Sequence, residues 1–187
     1  MSPLTQSLVE LTRLFDRLGL AYALMRGLAV RVYGIPRATY DIDFTLAIRR
    51  EYLEGLYQAV EGLGYTVPEA YASGWVDEVA GMPLVKFRLY VEDNGIDIDV
   101  FLAESPYQHE ILARRRREEA DGVAVYLVSP EDLILLKLIA GRPRDVADVH
   151  NVLFIQGQVD VAYMREWSER LGIADRLAEV LAGPPSI

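Results

Sequence analysis

Two Asp-x-Asp pairs sit where a chain should be burying apolar strand: Tyr40-Asp41-Ile42-Asp43-Phe44 and Ile96-Asp97-Ile98-Asp99-Val100-Phe101. Aspartate is depleted in strands, so two such pairs constrain the fold more than any other feature. Residues two apart on a strand share a face about 7 Å apart, and neighbouring strands lie about 4.8 Å apart. Pairing the two segments therefore gathers several carboxylates in one patch. Two negative charges about 5 Å apart repel by roughly 3 kcal/mol at an effective dielectric near 20. A raised pKa or a divalent cation relieves that repulsion, and an all-oxygen site suits magnesium or manganese.

Other chemistries lack material. The sequence has no cysteine, and His109 and His150 are its only imidazoles, which leaves little for a zinc centre or a Ser-His-Asp hydrolase. No apolar run approaches the ~20 residues of a membrane span, and the start Met-Ser-Pro-Leu-Thr-Gln-Ser has no secretion-signal pattern. The expectation is a cytoplasmic protein without a membrane partner. A formal net charge of −9 argues against nonspecific coating of nucleic acid, which draws its affinity from phosphate neutralisation. Arg114 to Arg117 form the one dense basic run, read here as a solvated helix end balanced by Glu118 and Glu119.

Along the chain, helical periodicity opens the sequence and stops near Gly19. A short strand, Ala21 to Met25, leads into a helix beginning at Gly27 and ending near Gly34. The strand with the first aspartate pair follows, then a helix over Arg49 to Gly64. Val67 to Pro83 is left open between a hairpin and a loop. Leu84 to Val91 and Gly95 to Leu102 read as two antiparallel strands joined by Glu92-Asp93-Asn94-Gly95, in which Asn-Gly is a hairpin turn signal. A helix over Pro106 to Glu119 and a strand over Gly122 to Val128 come next. Ser129-Pro130-Glu131-Asp132 then starts a helix with a capping serine, proline in the first turn and acids beside it. The remainder reads as helical, giving a core over residues 1–128 and a helical region over 129–187.

The order of parts has chemical meaning. A glycine at a helix start leaves backbone N–H groups free for phosphate oxygens. Carboxylates opposite it would hold the metals that a nucleoside triphosphate requires, in an in-line displacement of pyrophosphate.

The segment from Arg26-Gly27-Leu28-Ala29-Val30 to Gly34-Ile35-Pro36-Arg37-Ala38-Thr39-Tyr40-Asp41-Ile42-Asp43 resembles the signature of the DNA polymerase beta nucleotidyltransferase superfamily, in its AbiEii-like branch. Ile98-Asp99-Val100-Phe101, Ser129-Pro130-Glu131-Asp132-Leu133 with Lys137, and Arg144-Asp145-Val146-Ala147-Asp148 continue the resemblance in order. It implies an α+β fold, with a mixed, mainly antiparallel sheet flanked by helices and a C-terminal helical region. It also implies transfer of a nucleoside monophosphate from an NTP to an acceptor, tRNA or protein as in toxins of this branch, with an antitoxin as partner.

Carried over residue by residue, the resemblance makes Asp41, Asp43 and Asp99 ligands of Mg2+ or Mn2+ and catalytic groups, with Lys137 acting beside them. Arg26, Gly27, Arg37, Thr39 and Asp148 would bind nucleotide, and Asp145 would help to orient it. Several positions carry a plainer alternative. Asp97 competes with Asp99 as the third acid, Gly27 is also an ordinary boundary glycine, and Lys137 can snorkel from an apolar helix. Asp145 and Asp148 can instead pair with Arg142 or Arg144. Arg26 departs from the usual glycine; following a strand, it is expected in extended torsions, with its side chain available to phosphate. A nucleotidyltransferase fold that binds without catalysis is the alternative function. A glycosyltransferase ranks below both, because only about 40 residues precede the first pair, barely more than one of the ~30-residue units it needs.

Overall fold

The computed structural model describes residues 2–72, 75–76, 81–91, 94–120 and 122–183. Parts of the undecided Val67 to Pro83 stretch, and Glu92-Asp93 of the hairpin turn, lie outside the described residues.

Helix α1 (Pro3–Arg17) is capped by Ser2, whose hydroxyl accepts from the Thr5 amide, and it buries Leu8, Leu11, Leu14 and Phe15. Gly19, at φ +66°, turns the chain into β1 (Tyr22–Leu24), α2 (Arg26–Tyr33) and β2 (Ile42–Leu46). A 3-10 turn at Arg50–Tyr52 leads into α3 (Leu53–Glu61), and α4 (Glu69–Ala72) and β3 (Trp75–Val76) follow. The hairpin β4 (Pro83–Val91) and β5 (Asn94–Leu102) forms as the sequence predicts. After α5 (Pro106–Ala113), a second hairpin joins β6 (Arg116–Ala120) to β7 (Val123–Leu127). Helices α6 (Pro130–Ala140), α7 (Pro143–Gln156), α8 (Val161–Arg170) and α9 (Ala174–Ala182) end the described chain.

The strands form one mixed sheet in the order β3-β4-β5-β2-β1-β7-β6. Four of its pairings are antiparallel, and β1–β7 and β2–β5 are parallel. The fold is therefore α+β with a mainly antiparallel sheet, as expected. One hydrophobic core unites Phe15, Phe44 and Phe101 with Leu133, Val149, Met164 and Leu177 of the C-terminal helices. Among the described residues, no helix is long and apolar enough to cross a membrane.

One element corrects the sequence reading. The helix expected over Pro106 to Glu119 ends at Ala113, and Arg116 to Ala120 is an edge strand. Arginine and glutamate favour helix locally, but Gly122 at φ +77° folds this segment against β7. Charged side chains on an edge strand also discourage pairing with other chains. The arginines are engaged within the fold rather than forming a bare helix end. Arg114 lies over the Tyr163 ring at 3.7 Å, Arg115 over Tyr126 at 4.7 Å, and Arg116 lies 3.5 Å from Glu131.

Candidate active site

The parallel pairing of β2 with β5 sets Asp43 directly opposite Asp99. Both Asp-x-Asp segments thereby meet at one sheet position, as the period-two spacing predicts. Asp43 is buried, and burial pushes its carboxyl up to about 7; the charges of Asp99 and Asp41 add to this, and those of Arg26 and Lys137 oppose it. Burial, with the charges of Asp97 and Asp99, also raises the Asp41 carboxyl. Asp41 precedes β2 at the cleft mouth.

The hairpin register decides what Asp97 and Asp99 meet. Arg88 stands opposite Asp97 and Lys86 opposite Asp99. Arg88 Nη2 donates to Asp97 Oδ2 at 2.8 Å, and that hydrogen bond holds the carboxyl below the usual range. Lys86 Nζ lies 2.8 Å from Asp99 Oδ1, yet this buried oxygen accepts no hydrogen bond of good geometry. Sequence reasoning missed Lys86. The register pairs Val91 with Asn94, so Asn94 and Gly95 lie within β5. A turn centred on Asn94-Gly95 would instead have set Tyr90 opposite Asp99, and the sequence held no direct signal for Lys86.

Helix α2 enters the site at its N-terminus. Arg26 has φ +53°, in the left-handed region, the one non-glycine residue with positive φ among those described. The expectation of extended torsions is thus corrected: the tight passage from β1 into α2 requires the conformation that the usual glycine adopts freely. The Arg26 guanidinium packs over Phe101, 4.3 Å from its centroid, and Nη1 donates to Asp43 Oδ1 at 3.4 Å.

Gly27 lies under the loop that carries Thr39. A β-carbon on Gly27 would stand 2.4 Å from Thr39 Oγ1 and 3.0 Å from Thr39 Cβ. Gly27→Ala should therefore cost about 1–3 kcal/mol through overpacking, read as a lowered melting temperature. Thr39→Ala in the same background should recover part of the loss by removing the nearer atom.

The opposite wall is a chain of alternating charges. Arg37, on the loop before β2, donates through Nε and Nη2 to Asp148 at 3.0 and 2.9 Å. Lys137 Nζ on α6 donates to Asp148 at 2.8 Å and to Asp145 at 2.7 Å. Arg142 Nε, at the start of α7, donates to Asp145 at 2.6 Å. Burial pushes the Asp145 and Asp148 carboxyls up, but these hydrogen bonds and cations outweigh it and leave both below the usual range. Lys137 is 4% exposed and paired at both carboxylates, so it does not snorkel to solvent.

Arg26, Gly27, Thr39, Asp41, Asp43, Asp99 and Lys137 line one open cleft of about 440 Å³, together with Arg37, Arg142, Arg144 and Asp145. Asp148 lies behind that lining, bonded to Arg37 and Lys137. Among the described residues, no three acidic, histidine or cysteine side chains form a ready cage for a metal. The adjoining carboxylates of Asp41, Asp43 and Asp99 nevertheless fit Mg2+, which commonly takes one or two carboxylates and completes its shell with water and substrate phosphates.

The profile of a family described as "Nucleotidyltransferase of unknown function (DUF6036)" matches residues 6–174. No curated protein matches the sequence. Among solved structures, an antigenic nucleotidyltransferase-like protein from Paracoccidioides brasiliensis matches with a TM-score of 0.65 at 20% identity, over 96% of this chain and 88% of that one. The antibiotic-resistance factor ANT(2″)-Ia in solution matches at 0.56 and 19% identity, over 97% of this chain and 96% of that one. Its complex with adenylyl-2″-tobramycin matches at 0.56 and 16% identity, over 96% and 99%. At these identities the likeness is one of fold.

Proposed function

The chain belongs to the DUF6036 family of nucleotidyltransferases of unknown function, and on that premise we propose that it transfers a nucleoside monophosphate from an NTP to an acceptor hydroxyl with a divalent metal. The observation that carries this reading is the pairing of Asp43 with Asp99 in register, in one cleft with the N-terminus of α2 and the cations Arg37, Lys137 and Arg142.

In this reading Asp41, Asp43 and Asp99 hold Mg2+ or Mn2+, which would stabilise charge on the phosphates and the departing pyrophosphate. Asp99, facing the cleft in register with Asp43, is the group placed to take the acceptor's proton. Backbone N–H groups around Gly27 meet phosphate. The Arg37–Asp148–Lys137–Asp145–Arg142 chain fixes the loop and presents positive charge to the nucleotide. Residues 1–128 supply the metal carboxylates and Arg37, and α6 and α7 of the C-terminal helical region supply the rest of the opposing wall.

The net charge of −9 and the engagement of Arg114, Arg115 and Arg116 within the fold favour a small acceptor over a polynucleotide. ANT(2″)-Ia bound to adenylyl-2″-tobramycin offers a small-molecule precedent. The AbiEii-like resemblance instead points to tRNA or protein, with an antitoxin as partner. Incubation with each labelled NTP and Mg2+, against tobramycin-like aminoglycosides and against total RNA, separates these acceptors. Pyrophosphate release in neither arm, with NTP·Mg2+ binding intact by calorimetry, supports the alternative of a binding module, a reading that the Arg26–Asp43 contact favours.

Asp97 is bound to Arg88, whereas Asp99 faces the cleft. Asp99→Asn should therefore lower turnover by at least about tenfold more than Asp97→Asn. The reverse ranking in steady-state rates moves the third acid to Asp97.

A further inference from the structure

Most cations of the cleft are already engaged by carboxylates of the fold. Arg26 lies 3.4 Å from Asp43, Arg37 is bonded to Asp148, Lys137 to Asp145 and Asp148, and Arg142 to Asp145. Arg144 lines the same cleft and is exposed. Its side chain makes no hydrogen bond, ion pair or ring contact among the described residues. The sequence offered Arg144 as a partner for Asp145 or Asp148, but the hydrogen bonds and charges that hold those two carboxyls below their ordinary range come from Lys137, Arg142 and Arg37. Local structure does not favour it either. Arg144 stands in the first turn of α7, which begins at Pro143, and the positive end of a helix disfavours a cation by about 0.3–1 kcal/mol.

We propose that Arg144 is a polyphosphate-binding residue of this cleft, the cation kept free for the triphosphate of an incoming nucleotide and for the pyrophosphate that departs. The proposal rests on the nucleotidyl-transfer reading for the identity of the anion. A triphosphate keeps net negative charge after one divalent cation has bound it, so the cleft needs a further cation to receive it. Arg37, Lys137 and Arg142 share two carboxylates. For a group already bonded in this way, a phosphate replaces one charge-assisted hydrogen bond with another, and the gain is small. Arg144 exchanges only water for phosphate oxygens, so its bonds add to affinity. The planar guanidinium fork suits two oxygens of one phosphate. The helix end that disfavours Arg144 in the free protein also attracts the anion that Arg144 would hold, so the ligand relieves the local repulsion as it binds.

The test measures binding to the parent chain, Arg144→Gln and Arg144→Lys by calorimetry with Mg2+. The ligands are the α,β-methylene analogues of ATP, GTP, CTP and UTP, and inorganic tripolyphosphate. Arg144→Gln should weaken the analogue that the parent binds by about tenfold or more, the loss of a charge-assisted hydrogen bond, and tripolyphosphate by a similar factor. Arg144→Lys should recover part of each loss, because it restores the charge without the fork. The melting temperature of free Arg144→Gln should equal or exceed the parent's, since an unpaired cation leaves the first turn of α7. A lowered melting temperature, with an affinity loss that Arg144→Lys does not recover, would instead make the residue structural. If the parent binds an analogue and Arg144→Gln binds it as tightly, or if the variant loses affinity for the analogue while tripolyphosphate binding is unchanged, the proposal is overturned and the transfer reading stands. If the parent binds no analogue with Mg2+, both fall.

Discussion

Replacing Asp43 by asparagine is expected to lower metal-dependent nucleotidyl transfer by about a thousandfold or more, the several kcal/mol that a bound metal contributes to stabilising phosphoryl charge. The fold should survive. Asp43 is buried and its carboxyl is pushed up to about 7, so burial disfavours its charged form, a cost that a neutral side chain of the same shape avoids. Arg26 loses one partner but keeps its place over Phe101. The melting temperature should therefore stay within a few degrees of the parent, roughly 1 kcal/mol on a chain of this size. Calorimetry with NTP and Mg2+ supplies the second readout. Retention of the parent's metal-linked NTP affinity in Asp43→Asn would show that the metal lies elsewhere.

That expectation rests on a feature legible in the sequence, because strand periodicity makes Asp-x-Asp a statement about one face. It did not reveal that β2 and β5 are parallel neighbours, since a parallel pairing joins segments far apart in the chain through contacts that no local pattern encodes. The two strands of the β4–β5 hairpin were legible, but Asn94 and Gly95 lie in β5 opposite Val91 and Tyr90, and the register that places Lys86 against Asp99 is offset from one centred on Asn94-Gly95. Lys86 was not legible, because which residue of β4 faces Asp99 depends on that register.

Two misreadings share a cause. Arg116 to Glu119 have the composition of a helix end, but Gly122 folds them onto β7, so tertiary pairing overrode propensity. Arg26 follows a strand, and extended torsions were the local default. The turn into α2 imposes φ +53° instead. The glycine usual at that position in the resemblance was itself the sign that the backbone there is special.

Lys137→Met is expected to destabilise the protein by about 3–5 kcal/mol, the cost of removing one partner from a buried ionic network, or on the order of 10 °C in melting temperature. The reason lies in the bend between α6 and α7. Gly141 at φ +63° turns the chain so that Asp145 and Asp148 both face Lys137, and all three residues are buried. Methionine fills similar space but leaves two carboxylates with only Arg142 and Arg37 for support.

The pH dependence gives the sign. In the parent, Asp145 and Asp148 are held below their ordinary pKa. Their contribution is fully present above the unfolded value of about 4 and is lost as pH falls through the depressed folded values. Without the Lys137 ammonium those folded values rise, so the variant binds protons sooner than the parent on acidification. The stability gap should consequently be widest near neutral pH and narrow toward pH 3. Because Arg37 anchors its loop through Asp148, the same variant should also raise the KM for NTP. A gap that stays constant across that pH range would mean that Lys137 acts through packing alone, and its charge would then have no part in holding the cleft wall.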